Sequence, residues 1–320
     1  MLQKENVMVP SSIIKAPAVP FEEASGAIPY NMTNDYMFRI VLQENETVLR
    51  GLVAALIHQD PESIQTKITN PVLLGNTIGK KDFILDVNVL INNETSMNLE
   101  MQVINEHDWT DRSLNYLCRN YTKLIKGDNY FLAKPVIQIG FLNFDLFPKE
   151  PEFYATYKME NIKTHSLYSS KLQIGVVELN RIDIATDEDK AYKIDQWAKL
   201  FKMKDWKGLK AMVKDNKYLE EAAKTIYYLN SDEHIQAVCE RRAEVEAEER
   251  RHQKIEADYE TIKIDFNNVK AENSSIKSKY SSIKAENSNI KAENSNIKAE
   301  NLKQSKEIEE LKAQLAALNK

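Results

Sequence analysis

From Val269 to its end the chain repeats with a period of seven residues, most plainly in IKAENSNIKAENSNIKAEN. Seven residues are close to two helical turns, so a sustained heptad specifies an α-helix with one seam along it. Val269, Ile276, Ile283, Ile290 and Ile297 recur at that spacing, and Leu311 and Leu318 keep the phase. Setting these at d places Asn273, Tyr280, Asn287, Asn294 and Asn301 at a, followed by Ile308 and Leu315. The other phase, with isoleucine at a, would bury Glu286, Glu293 and Glu300 at d without partners. The first register also sets Glu286 and Glu293 at g and Lys291 and Lys298 at the following e, the pairing of parallel chains in register. Asparagine at a favours two strands and weakens each layer it occupies, whereas isoleucine at d pulls toward higher oligomers. The expectation is a parallel homodimeric coiled coil over 261–320, firmer at the Ile308–Leu318 end. Its rival is a solvated single helix or a low-complexity tract.

The rest of the chain has another character. In 320 residues, 42% hydrophobic with aromatics concentrated before the tail, there is enough apolar material for a sizeable packed core. A net charge of -5 argues against a protein that coats DNA electrostatically, though not against a local basic patch. Cys118 and Cys239 are far apart and neither has a second cysteine at metal-ligand spacing, so neither a disulfide framework nor a zinc site is expected. The amino-terminal MLQKENVMVPSSIIKAPAVPFEE lacks a signal-peptide core and no apolar run is long enough to span a membrane. A cytoplasmic protein without a membrane partner is the simplest expectation. Pro10, Pro17 and Pro20 suggest a flexible leader over 1–30.

Periodicity predicts two helices in TNDYMFRIVLQENETVLRGLVAALI (33–57), capped by Thr33 or Asn34 and broken near Gln43–Glu46. Strands are expected at 82–91 and 97–104 with INNETS between them, then a helix over 108–126. Further strands are expected at 135–144, 153–159 and 172–179, and helix from Glu188 onward. That order gives an α+β or α/β domain over 31–185, a helical extension over 186–260, then the coiled coil. His58, His107, His165, His234 and His252 are scattered without ligand spacing, and Trp197, Phe201 and Trp206 read as core.

The two strands of the hairpin carry acids. On the first, Phe83, Leu85, Val87, Val89 and Ile91 share a face and Asp86 points the other way with Asn88; on the second, Met97, Leu99, Met101 and Val103 oppose Glu100 and Gln102. In an antiparallel hairpin Asp86 and Glu100 lie side by side, where two ionised carboxylates repel unless a cation sits between them. Hard oxygen donors suit Mg²⁺, with Mn²⁺ as a substitute. Spacing alone favours a plainer explanation, a half-exposed sheet with a polar outer face.

Several segments taken in order tip that balance. TNDYMFRIVL, GKKDFILDVNV, NLEMQV, DRSLNYLCRNYTKLIKGDNY and KPVIQIGFLNFDLF together resemble the recombination-promoting, transposase-like branch of the PD-(D/E)XK nuclease superfamily over roughly residues 30–185. The resemblance implies a restriction-endonuclease-like mixed sheet flanked by helices. It matches Asp86 to the family's metal-binding aspartate and Glu100 to its second carboxylate. Gln102 stands where the parent superfamily has lysine, as is common in this branch. Glutamine can orient water through neutral hydrogen bonds but cannot supply lysine's charge. The implied activity is Mg²⁺-dependent hydrolysis of DNA phosphodiesters by Asp86, Glu100 and Gln102, in the service of recombination or DNA mobility.

Groups for the DNA backbone are expected beside this pair. Arg112, Tyr116, Arg119 and Lys123 advance along one face of the 108–126 helix, Leu114, Leu117, Tyr121, Leu124 and Ile125 forming its inward stripe. Lys80 and Lys81 precede the first strand. Each of these basic residues taken singly is as readily a solvated one. The competing functional expectation is a nuclease fold kept as a non-catalytic binding module, with an oligomerising tail.

Overall fold

Two asparagines set the first helical pair. In the computed structural model, which describes residue 17 and residues 19–70, 86–121 and 129–318, α1 is Asp35–Glu44 and α2 is Glu46–Leu56. The Asn34 side chain accepts the Met37 N–H at 3.1 Å and Asn45 accepts the Val48 N–H at 3.2 Å. Each amide satisfies a donor that the first helical turn would leave unpaired, so the break falls at Asn45. Asn34, not Thr33, is the cap.

Six strands follow among the described residues: β1 Thr66–Ile68, β2 Val87–Ile91, β3 Thr95–Gln102, β4 Val136–Leu142, β5 Tyr154–Glu160 and β6 Leu167–Glu178. They form one mixed sheet in the order β1-β2-β3-β4-β6-β5, with β3, β4 and β6 mutually parallel and the other pairs antiparallel. Parallel neighbours need a long crossover, and α3 (Trp109–Tyr121) lies on the one between β3 and β4. After the sheet come α4 Asp187–Ala191, α5 Ile194–Lys202, α6 Trp206–Met212, α7 Lys217–Asn230 and α8 Glu233–Leu318.

Strand alternation divides the sheet into two chemically distinct faces. Val87, Val89, Met97, Leu99, Met101, Ile139, Phe141 and Val177 join the main core with α1, α2, α5, α6, α7 and the first turns of α8. Trp197, Phe201 and Trp206 belong to that core, as expected. The opposite face carries Asn88, Asn98, Glu100 and Gln138 before giving way to a small apolar cluster of Trp109, Leu142 and Val176.

Several expectations need correction. The strand expected over 82–91 is described only from Val87, because residues 82–85 lie outside the described residues, and β3 runs two residues earlier than expected. The short edge strand β1 was not foreseen. Phe21, Ala24 and Ile28 are buried in the main core, so the flexible leader expected over 1–30 does not extend that far. The boundary expected at 185 falls inside the first of two compact units, Met1–Arg250 and Arg251–Lys320, since α5–α7 supply the same core as the sheet. The stripe expected on α3 is rotated: Trp109, Ser113 and Leu117 are buried and Leu114 is exposed.

The second unit is the remainder of α8, an 86-residue helix in all. Along it Ile276, Ile283, Ile290, Ile297, Leu311 and the a-position Tyr280, Ile308 and Leu315 are exposed. Ile255, Tyr259, Ile262 and Phe266 are exposed too and keep the same 3–4 spacing, so the apolar seam begins before Val269. Gln304 interrupts it at a d position. No helix among the described residues is long and apolar enough to cross a membrane.

Candidate active site

The register of β2 on β3 brings the acids together. Val87 faces Leu99, Asn88 faces Asn98 and Val89 faces Met97. Continued by one residue, this register sets Asp86 across from Glu100 on the face away from the core. Asp86 is held there from both ends. Its carbonyl accepts from the Asn70 amide at 3.0 Å and from the Arg39 guanidinium, which also reaches the Asn70 carbonyl. Asn70 in turn accepts the Asn88 N–H at 2.8 Å. Arg39 comes from α1 and is fully buried, so the helix fixes the start of β2 through the sheet's own backbone. The Asp86 carboxylate receives the Asn88 and Asn98 amides on one oxygen, at 2.9 and 3.0 Å.

Glu100 is 5% exposed. Burial pushes its carboxyl above the ordinary carboxylate value; Arg112 opposes the rise and Asp86 adds to it. Arg112 donates from Nε to Glu100 Oε1 at 2.8 Å, and Nη1 lies 3.8 Å from Glu106. Burial alone would lower the guanidinium, but Glu100, Tyr116 and Asp108 outweigh it and hold Arg112 above its usual value. The Tyr116 ring lies 5.7 Å beneath that guanidinium. Its hydroxyl is pushed up by burial and then by the charges of Glu100 and Asp86.

The position of Arg112 depends on a missing side chain. Gly140 of β4 pairs with Glu100, and a Cβ at Gly140 would overlap Trp109 Cζ2 and Cη2 and lie 2.9 Å from Cε2. The indole therefore rests directly on the strand backbone. Arg112 is one helical turn further along α3, which delivers it to the neighbouring Glu100.

Sequence reasoning missed the amides around the acids. Asn98 and Gln138 pair across β3 and β4, and they are 1% and 0% exposed. Asn98 Oδ1, Gln138 Oε1 and Asn88 Oδ1 are buried without a hydrogen-bond partner among the described residues. Amide orientation is set by neighbours. Here the NH₂ groups of Asn88 and Asn98 face the Asp86 carboxylate, which leaves their oxygens turned away from it. Alternation alone sets Asn88 beside Asp86, but Gln138 gives no signal in sequence until β4 is known to lie beside β3.

The remaining expected site residues are distributed unevenly. Gln102 shares the face of Glu100, with its amide donating to the Ile104 carbonyl at 3.2 Å. Arg119 lies on the exposed side of α3. Lys80, Lys81 and Lys123 lie outside the described residues. Glu178, a further buried acid on this face in the row of Leu142, accepts the Leu146 N–H at 3.1 Å and so serves the loop after β4. None of the five histidines makes a described contact with the acid pair; His58 stacks on Tyr192 at 4.3 Å.

The two carboxylates are hard oxygen donors, and the amides beside them turn their NH₂ groups inward, Asn88 and Asn98 to Asp86 at 2.9 and 3.0 Å and Gln138 to Glu100 at 3.5 Å. No cluster of three or more His, Cys, Asp or Glu placed to hold a metal occurs among the described residues. Mg²⁺ does not ask for one, since it commonly takes one or two carboxylates and completes its shell with water and phosphate oxygens. The site fits such an ion.

A mixed sheet flanked by helices, with paired acids on its polar face, fits the nuclease fold. The family model of PD-(D/E)XK nuclease family transposases matches residues 32–258, and the chain belongs to that family. Nucleases of this superfamily generally use divalent metal ions. Comparison with curated proteins and with solved structures gives no match.

Proposed function

We propose that the protein is a Mg²⁺-dependent DNA endonuclease in which Asp86 and Glu100 hold the ion. The observation that carries this reading is the placement of the two carboxylates on one face of the β2–β3 hairpin, away from the main core, in a chain of a nuclease family. A bound divalent ion would supply a water of lowered pKa and neutralise charge on the scissile phosphate. Asp86, braced by Arg39 and Asn70, and Glu100, buried beneath α3, give that ion a preorganised seat. Gln102 orients water with a neutral amide. Arg112, Tyr116, Arg119, Lys80, Lys81 and Lys123 contact the DNA backbone. In the cytoplasm such an activity would serve recombination or DNA mobility, and the heptad seam of α8 would join two chains in parallel.

Purified protein should nick supercoiled plasmid in Mg²⁺, or in Mn²⁺, and Asp86→Ala and Glu100→Ala should each lower the rate at least a hundredfold, on the order expected for removing an ion ligand. Undiminished cleavage by both variants removes the site assignment. One observation favours a second reading, a non-catalytic DNA- or protein-binding module: Glu100 is already neutralised by Arg112, and Gln102 has no charge to give. Thermal stabilisation by Mg²⁺ or Mn²⁺ that disappears in Asp86→Ala separates the two, because a pure binding module has no use for the ion.

A further inference from the structure

The carboxylate assigned to the ion above already has a cation on it. Glu100 is almost wholly enclosed, and an ionised carboxylate in that position is strongly disfavoured unless a positive charge accompanies it. Arg112 provides that charge. We infer that Arg112 is the resident counter-ion of Glu100 in the ion-free protein, and that a divalent cation and the guanidinium exchange on this carboxylate, freeing Arg112 to contact a DNA phosphate. The inference rests on the assignment of Asp86 and Glu100 as ion ligands.

Three features of the pair suit it to exchange. The contact is made through Nε alone, at 2.8 Å, with Nη1 turned toward Glu106 3.8 Å away. A guanidinium locked in place would instead present two parallel N–H groups to both carboxylate oxygens. Exposure is also asymmetric, since the Arg112 side chain is 34% exposed and that of Glu100 only 7%. The arginine can therefore retreat into water while the glutamate cannot. Finally, an outward resting place exists: Glu106 is 42% exposed, and the Tyr116 ring lies against the guanidinium. A permanent structural ion pair would need neither a half-exposed cation nor a second acid on its solvent side.

The exchange is driven by charge. A divalent ion on Glu100 and a guanidinium on the same carboxylate repel at a few ångströms, in a setting less polar than water. The Gln138 amide remains on the inner side when the guanidinium leaves, its Nε2 donating to Glu100 Oε2 at 3.5 Å, so the carboxylate is not left among apolar groups. Arg112 then stands at the rim of the site with its planar fork unoccupied, the geometry best matched to a phosphate. Ion binding and DNA binding are thereby coupled, each strengthening the other by the same factor.

The test uses the full chain and two readouts other than cleavage. Mn²⁺ is titrated calorimetrically, without DNA, into the parent, Arg112→Gln, Arg112→Lys and Asp86→Asn. Arg112→Gln should bind Mn²⁺ about tenfold tighter than the parent, and Arg112→Lys, which keeps the competing charge, within about twofold of it. Duplex DNA binding is then followed by anisotropy in EDTA and in Ca²⁺. Arg112→Gln should lower affinity in Ca²⁺ by at least several times the factor by which it lowers it in EDTA. Mn²⁺ binding by Arg112→Gln that is equal to or weaker than the parent's overturns the exchange, as does an equal loss of DNA affinity with and without Ca²⁺. Parent protein whose Mn²⁺ binding is absent, or unaffected by Asp86→Asn, overturns the ion assignment itself and the exchange with it.

Discussion

The sheet of the compact unit and the seam of the heptad tail both put polar side chains where apolar ones would pack better. They deal with them in opposite ways. On the sheet, Asp86 is met by two asparagine amides and Glu100 by an arginine, all from the same chain. On the tail, Asn273, Asn287, Asn294 and Asn301 fall on the heptad seam among exposed isoleucines and are themselves exposed. Polar groups that are paired within the chain can be aimed at chemistry. Polar groups left exposed on a seam would, in the proposed dimer, select which copy pairs and in which register.

The sharpest way to break this contrast is to ruin the seam without touching the sheet. Replacing Ile283 and Ile290 together by aspartate puts charge into two layers of the proposed dimer, with an expected loss on the order of 5 kcal/mol or more of association free energy. Sedimentation equilibrium of the full chain should change from two-chain to one-chain mass, while the unfolding midpoint of the compact unit stays fixed. A variant that remains dimeric would mean that the copies meet elsewhere and that the asparagines do not govern pairing.

The converse experiment disturbs the sheet and spares the tail. Gly140→Ala inserts a methyl group where Trp109 rests, and overpacking of this kind destabilises by about 2–3 kcal/mol. Urea unfolding should show that loss, and plasmid nicking should fall with it because Arg112 rides on the same helix as Trp109. Adding Trp109→Ala should recover part of the stability, since the two changes share one contact and do not add. A Gly140→Ala protein of parental stability would mean that α3 is not seated through this indole.

These two experiments also divide what the sequence made legible from what it did not. The tail was readable because a heptad is a local pattern. The shared face of Asp86 and Glu100 was readable because period-two alternation and a short hairpin fix it within about fifteen residues. Arg39, Asn70 and Gln138 were not, because their roles depend on contacts between distant segments: α1 against β2, β1 against β2, and β4 laid parallel to β3. Leu114 was misplaced for the same reason. Helical spacing allowed more than one apolar stripe on α3, and the choice fell to a cleft over Gly140 on a strand not yet assigned. The start of the chain looked like a leader because Pro10, Pro17 and Pro20 punctuate it and no helical or strand periodicity runs through it, yet Phe21 finds the core beside Tyr227 at 5.7 Å between ring centroids.

Not every carboxylate of the compact unit has both oxygens met, since Glu178 Oε2, Asp195 Oδ1 and Glu246 Oε1 are all buried without a hydrogen-bond partner among the described residues, and the last supplies the mildest test. Glu246, on the first turns of α8, has Oε1 buried without a hydrogen-bond partner among the described residues. Asp35, Arg242, Glu249 and Arg250 surround it, and Arg242 is committed to Asp35 at 2.5 Å. Burial, then the charge of Asp35, push its carboxyl up to about 7, with Arg250 and Arg242 opposing. In the unfolded chain a glutamate titrates near 4.3. The folded protein thus binds the extra proton between those values, so Glu246 leaves stability intact below about pH 4 and erodes it as pH rises through the interval to about 7. Glu246→Gln imitates the protonated form. After allowance for solvent screening it should stabilise the protein by about 1–2 kcal/mol at pH 8 and by nothing measurable at pH 4. Thermal unfolding across that range checks it, and a pH-independent difference between the two proteins would show that Glu246 is met within the chain as fully as Asp86 and Glu100 are.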